Sequence, residues 1–305
     1  MNINLLDFFM KISNEKSIRE ISRIHDMSST AVIRKIDQLE HYFRVKIFDR
    51  DNGIRLTENG ELLQKNIPLI LKNISNVHTM LAELRNPNQG KVVIYAGGSV
   101  VVDLLSPALC SVQKKYPNIE FEIVITSSSN ITKAVVDGTA DIGITIFAPE
   151  TNSRLVHACH QVRHVVFVCP SHPFASREHV SFTDIIKERL AIPDQEFSIR
   201  RRLDVIAKYL NIQLKPVFTT SSLEMQRDLA VRNLALLILP EFCFSYECNA
   251  EILKKISILD GEDLNTDLEI IINKGRTLTF AARVVLSEIE ASVSRLLSGP
   301  KSVTG

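Results

Sequence analysis

The sequence is short of several things, and each shortage removes a class of protein. No apolar stretch in its 305 residues approaches the length of a bilayer-spanning helix. Its start, Met1-Asn2-Ile3-Asn4-Leu5, lacks the basic segment and apolar run of a secretion signal. Cysteine is sparse: Cys110, Cys159, Cys169, Cys243 and Cys248 are odd in number and show no CxxC spacing. That argues against a disulfide framework and for reduced thiols used as small buried hydrophobes, with a metal site or redox sensor as the alternative. Together these absences predict a cytoplasmic protein with no membrane partner.

Chemical signatures are missing too. There is no HExxH, no GxSxG and no P-loop, and the nearest approach to a metal spacing is His157 with His160. The expectation is no enzyme, no metal and no cofactor. Net charge is only +1, so the chain as a whole is no polycation, and a nucleic-acid role must come from where charges sit. Tryptophan is absent, but 45% of the residues are hydrophobic and 23% charged, which suits a globular chain of about two domains.

Short helices followed by a hairpin fill the first 57 residues. Ile3, Leu6, Phe9, Met10 and Ile12 recur at helical spacing. Ser17-Ile18-Arg19-Glu20 is a capping box that opens a second helix carrying Ile18, Ile21 and Ile24. After a break at His25-Asp26-Met27, Ser28 caps a third helix through Ala31, Val32, Ile36 and Leu39. Two helices joined by so short a turn make a helix-turn-helix. Val45 to Phe48 and Ile54 to Leu56, on either side of Asp51-Asn52-Gly53, read as a hairpin, the wing. Ten basic residues face eight acidic ones over 1–57, so charge alone decides nothing there.

Thr57 caps a long helix from Glu58 to about Arg85. Along it Leu63, Ile67, Ile70, Ile74, Val77, Leu81 and Leu84 form a heptad seam. The seam either meets the same helix of a second subunit or docks on its own domain. Pro68, inside this helix, removes one backbone bond and predicts a kink. Asn86-Pro87-Asn88-Gln89-Gly90 reads as a hinge. Beyond it, strands and helices alternate, which predicts an α/β domain with mostly parallel strands. The division expected is 1–57 for the winged helix-turn-helix, 58–89 for linker and hinge, and 90–305 for the α/β domain. Its first lobe would be about 90–161 with 268–297, and its second about 162–267. The overall class is α+β.

These segments resemble the LysR family of transcriptional regulators. Ser17 to Ile33, SIREISRIHDMSSTAVI, lines up without a gap on the family's helix-turn-helix, and Arg34, Ile36, Leu39 and Glu40 continue the match. Phe48-Asp49-Arg50 and Leu56-Thr57-Glu58-Asn59-Gly60 resemble its wing and linker start. Leu104-Leu105-Ser106-Pro107, Tyr116-Pro117-Asn118-Ile119, Asp137 to Ile144 and His172-Pro173-Phe174-Ala175 resemble phrases of its ligand-sensing domain, in order and at similar spacing. Departures are Ile21 and Ser22 for two alanines, His25 for Leu, Ile33 for Ser, and Asn233 and Ala235 for glycines. The resemblance implies a two-lobed sensor domain like that of type 2 periplasmic binding proteins.

A recognition helix would place Ser29, Thr30, Ile33 and Arg34 in the major groove, where hydroxyls, an apolar tip and a guanidinium can read base edges. Ser28 would cap and bring its N–H to a phosphate. Lys35, Arg50, Arg55 and Thr57 would hold phosphates, with a solvated surface charge as the alternative for Lys35. In the sensor domain, Gly98, Ser99 and Val100 follow one strand and Ser128 another, which is where α/β folds place ligands. Phe147 and Phe197 are either pocket walls or core. Arg200, Arg201 and Arg202 either greet an acidic effector or are solvated. The implied partners are double-stranded DNA, a small anionic effector, and further copies of the chain, a dimer assembling to a tetramer; RNA polymerase is a further partner the resemblance allows. Competing readings are a periplasmic-type binding protein, an α/β enzyme with an appended DNA-binding domain, and a regulator that has lost its ligand.

Overall fold

The computed structural model describes residues 3–50, 53–85, 89–146, 155–259 and 264–297, with the backbone only at 83–85. The chain divides into two compact units, Met1–Ala82 with Asp137–Thr139, and Glu83–Val136 with Ala140–Gly305.

In the N-terminal unit, helix α1 (Ile3–Ile12) turns the apolar stripe seen in the sequence inward: Leu6, Phe9 and Ile12 are buried. Helix α2 (Ile18–Ile24) begins where the Ser17 hydroxyl accepts the Glu20 N–H at 3.2 Å. Helix α3 (Ser29–Phe43) begins likewise, with Ser28 accepting from Ala31 N–H. Strands β1 (Phe48–Asp49) and β2 (Arg55–Leu56) pair antiparallel as the wing; Asp51 and Asn52 of its turn lie outside the described residues.

Glu40 fastens the wing to α3. Its carboxylate, nearly buried, accepts the N–H groups of Ile47 at 2.9 Å and Phe48 at 3.2 Å, and pairs with Lys46 and Arg50. Burial works to raise its pKa, but those bonds and the Arg50 charge outweigh it and hold the carboxyl below its usual value.

Helix α4 (Glu58–Arg85) runs unbroken with Pro68 inside it. Thr57 opens it, accepting from Gly60 N–H while donating to the Lys46 and Ile47 carbonyls. At Gly60 a Cβ would lie 2.3 Å from the Ile47 carbonyl oxygen, so only glycine fits between linker and wing. The heptad seam is divided. Ile67 is fully buried in the core of its own unit, with Leu63 and Ile70 packed against that core, whereas Val77 and Leu81 are each 54% exposed. Ile74 is half-buried. The docked reading therefore holds for the first half of the helix, and the second half leaves Val77 and Leu81 uncovered.

The C-terminal unit contains, in chain order, β3 (Gln89–Ala96), α5 (Ser106–Lys115), β4 (Asn118–Ile125), α6 (Ser128–Val136), β5 (Ile142–Ile146), β6 (Val156–Val162) and β7 (His164–Val168). Then follow β8 (His179–Val180), α7 (Phe182–Ile185), β9 (Ala191–Ile192), α8 (Ser198–Tyr209), β10 (Phe218–Thr219), α9 (Leu223–Val231) and β11 (Leu237–Pro240). Last come α10 (Ser245–Asn249), β12 (Lys254–Ile258), β13 (Thr266–Ile271) and α11 (Phe280–Leu297). One sheet has the order β4-β3-β5-β13-β6 and the other β11-β7-β12-β8, with β9 and β10 pairing beside it.

The parallel expectation holds for β4, β3 and β5, for β9 with β10 and for β8 with β12, and fails at the remaining pairings of the two larger sheets. Strand β13 runs antiparallel to both β5 and β6, and β7 antiparallel to β11 and β12. The chain returns to the first sheet through β13, and that strand reverses direction. Strands β6 and β12 escape a reading for apolar runs because His157, His160, Lys254 and Lys255 interrupt them. Helix α5 starts at Ser106, after a 3-10 turn over Gly98–Val100 and a π turn over Val101–Leu105. Asn233, where a glycine was expected, takes φ 57. Of the cysteines, only Cys243 is buried; Cys110 and Cys159 are exposed, which corrects the reading of all five as buried hydrophobes.

Candidate functional sites

In the N-terminal unit the expected base-reading residues sit on one helix start. Ser28, Ser29, Thr30 and Arg34 are exposed, with Ile33 half-buried among them. The Ser29 hydroxyl lies 3.1 Å from that of Ser22, tying α3 to α2. Arg55 is exposed on the wing.

The remaining expected phosphate contacts are engaged within the chain. Arg50 is bound to Asp37 at 2.7 Å and Glu40 at 3.0 Å, the Thr57 hydroxyl is used in capping, and Lys35 lies over the Phe8 ring at 4.6 Å. These three frame the unit as the chain stands. Sequence reading had no sign of this, because the partners Asp37, Glu40 and Phe8 meet them only in the fold.

In the C-terminal unit a cleft of about 470 Å³, part of it open to solvent, lies between the two sheets. Gly97, Gly98 and Ser99 line it beyond the end of β3, Thr126 and Ser128 beyond β4, and Ile146 at the end of β5. Across from them are His164, Ile238, Leu239 and Pro240, with Phe197, Ser198 and Ile199 at the start of α8. Gly98, Ser99, Ser128 and Phe197 are thus brought together as expected. Val100 is not: it is fully buried in the core, since the 3-10 turn points it inward. Phe147 lies outside the described residues. His164, Ser198 and the Ile238–Pro240 strand end were missed, although the ends of strands are where a ligand is sought.

The cleft's polarity comes from hydroxyls and backbone. Neither the turn that follows Gly97 nor helix α8 after Phe197 has a side-chain cap at its start. Among the described residues no group of the chain takes the Ser99 hydroxyl, while Ser128 donates to the Ile146 carbonyl at 3.0 Å. A Cβ placed on Gly97 meets nothing within 4 Å, and its φ of −70° and ψ of 147° suit any residue. The fold therefore does not need glycine there. Burial pushes the His164 imidazole down to about 3, against a backbone bond at Leu264, so it faces the cleft uncharged. Arg200 is bound to Asp204, and Arg201 to the Gln195 and Glu196 carbonyls and the Ser198 hydroxyl.

Comparison with known proteins covers both units. Residues 85–294 match the LysR substrate binding domain, and residues 3–61 match the bacterial regulatory helix-turn-helix protein, lysR family. An uncharacterized HTH-type transcriptional regulator of Bacillus subtilis, YybE, is 23% identical, over 77% of this chain and 81% of its own. A probable RuBisCO transcriptional regulator of Emiliania huxleyi is 26% identical over 90% of this chain and 89% of its own. Among solved structures, full-length CbnR complexed with its target DNA superposes with a TM-score of 0.63 at 14% identity, over 96% of this chain and 100% of that one. HinK of Pseudomonas aeruginosa, a LysR family regulator, gives 0.55 at 18% identity, over 96% and 98%.

Proposed function

This chain belongs to the LysR family of DNA-binding transcriptional regulators, with a substrate-binding domain, and from that premise we propose how its two units divide the work. The start of α3 enters the major groove. Ser29, Thr30, Ile33 and Arg34 read bases there, Ser28 presents its N–H to a phosphate, and Arg55 reaches the backbone from the wing. Lys35, Arg50 and Thr57 contribute second, by keeping wing and helices in register, and add phosphate contacts on binding. The second half of the linker seam, Ile74, Val77, Leu81 and Leu84, pairs two subunits, so that two recognition helices address two half-sites. Leu63, Ile67 and Ile70 hold the linker to its own winged domain. Sensor domains assemble such dimers into a tetramer, in the cytoplasm.

The effector is a small anion, a carboxylate, bound in the cleft of the C-terminal unit. One observation carries this reading: two turn starts without side-chain caps face a cleft that holds an open hydroxyl and a glycine the fold does not require. Backbone N–H groups at such starts favour negative charge, and Gly97 leaves room for a ligand to approach the backbone. Binding changes DNA affinity or bend only through different affinity for two arrangements of the protein.

The test is thermal unfolding of the full chain with a panel of mono- and dicarboxylates, alongside Gly97→Val. A shift given by at least one carboxylate and lost in the variant supports the reading. Shifts with neutral analogues only, or none with any compound, contradict it. A regulator that answers to nothing would still bind DNA and give the second result.

A further inference from the structure

Gly97 to Ser106 form one hydrogen-bonded stretch. Val100 N–H bonds to Gly97 O at 3.2 Å, Val101 N–H to Gly98 O, and Ser106 N–H to Val101 O, the last closing the π turn. Such turns are rare and recur at functional places. Here the π turn directly follows the cleft loop and carries Asp103.

Asp103 leaves the first sheet's lobe and binds the second. Its carboxylate accepts the N–H groups of Phe244 at 3.0 Å and Ser245 at 3.1 Å. Beside it the Cys243 thiol donates to the carbonyl of Ser99, a cleft residue, at 3.3 Å. From the other direction the Ser292 hydroxyl of α11 donates to Leu104 O at 3.0 Å, so the π turn is held from both lobes. The segment it grips is under strain. Phe244 takes φ 57° and ψ 38°, a left-handed conformation that disfavours a bulky residue and persists only when its surroundings impose it. Its ring is buried and meets Phe167 edge-on, centroids 5.4 Å apart. Beyond it Glu247 pairs with Arg227 of α9.

We infer that Asp103 is a positioning residue for the effector cleft. It anchors the Gly97–Val101 loop to the strained Phe244–Ser245 corner of the other lobe, so that the cleft's backbone is set by contacts between the lobes. This rests on reading the cleft as the effector site. Occupation of the loop is then felt first at Cys243–Ser245 and passes to α9 through Glu247 and Arg227.

The test is amide hydrogen exchange on the full, ligand-free chain, comparing wild type with Asp103→Ala and Asp103→Asn. Expected is an increase of about tenfold at Val100 and Val101 as well as at Phe244 and Ser245, with α11 unchanged and Asp103→Asn intermediate. Acceleration confined to Phe244 and Ser245 would reduce Asp103 to a cap of a short helix and overturn the inference. Uniform acceleration across the C-terminal unit would overturn it equally. If Asp103→Ala does not fold, Asp103→Asn, which keeps the carbonyl acceptor, is judged by the same pattern. Because no ligand is present, a cleft that binds no carboxylate fails the thermal screen and leaves this result standing.

Discussion

The two units use polar groups in opposite ways. In the N-terminal unit the polar side chains around the wing are bound to one another: Glu40 to two backbone N–H groups and two cations, Arg50 to two carboxylates, Thr57 to two carbonyls and one N–H. Thr30 and Arg34 on α3 and Arg55 on the wing stay exposed. In the C-terminal unit the cleft keeps, among the described residues, a Ser99 hydroxyl that no group of the chain takes and a glycine at 97 whose missing side chain the fold does not require, and its wall His164 is held neutral. A surface that must meet a rigid duplex needs a rigid frame. A site that must respond to a small molecule needs groups the fold does not consume.

The sharpest way to break this comparison is at Glu40. Glu40→Ala strands two buried N–H groups and loosens Arg50 and Lys46, and should cost about 3 kcal/mol in urea unfolding. The depressed carboxyl pKa gives the sign with pH. Its contribution is full above the unfolded value of 4.5 and is lost as pH falls through the lower folded value. The gap between wild type and Glu40→Gln should therefore be constant near neutrality and narrow only below about pH 4.5.

Acid should reach the C-terminal unit earlier. His164 has a folded pKa of about 3 against 6.5 when unfolded, so between those values the unfolded chain binds the extra proton. Stability there falls as pH drops, by up to ~1.4 kcal/mol per pH unit. Urea unfolding followed in the C-terminal unit should give a lower stability at pH 5 than at pH 6.5, and His164→Gln should flatten that slope. Equal acid response in both units would remove the contrast.

Smaller effects separate open residues from frame residues. Arg34→Ala should weaken specific DNA binding about 10- to 100-fold, measured by anisotropy at fixed salt, with unfolding unchanged within about 0.5 kcal/mol. Arg50→Ala should move both readings, because its guanidinium belongs to the frame first. Smallest of all is the expected effect of Gly97→Val on the unliganded fold: no change beyond about 0.5 kcal/mol.

Much of this was legible in the residues. Ser17, Ser28 and Thr57 marked three helix starts, and the structure shows their hydroxyls accepting the N–H groups that such starts leave over. Loop ends after strands marked Gly98, Ser99 and Ser128. What stayed hidden depended on contacts distant in sequence. Periodicity could not say that Ile67 belongs to the winged unit's core while Val77 stays exposed, because both satisfy one seam. Nor could it show that Val100 turns inward, that β13 reverses direction, or that Asp103 reaches residues 141 and 142 positions away.

The most direct test of the central claim is genome-wide occupancy of the tagged full-length protein beside its Arg34→Ala variant. Discrete sites that contain an inverted repeat are expected, as paired recognition helices require, with their loss in the variant at equal protein level. Absence of enrichment for the wild type, with purified protein also failing to bind duplex DNA, would contradict the claim.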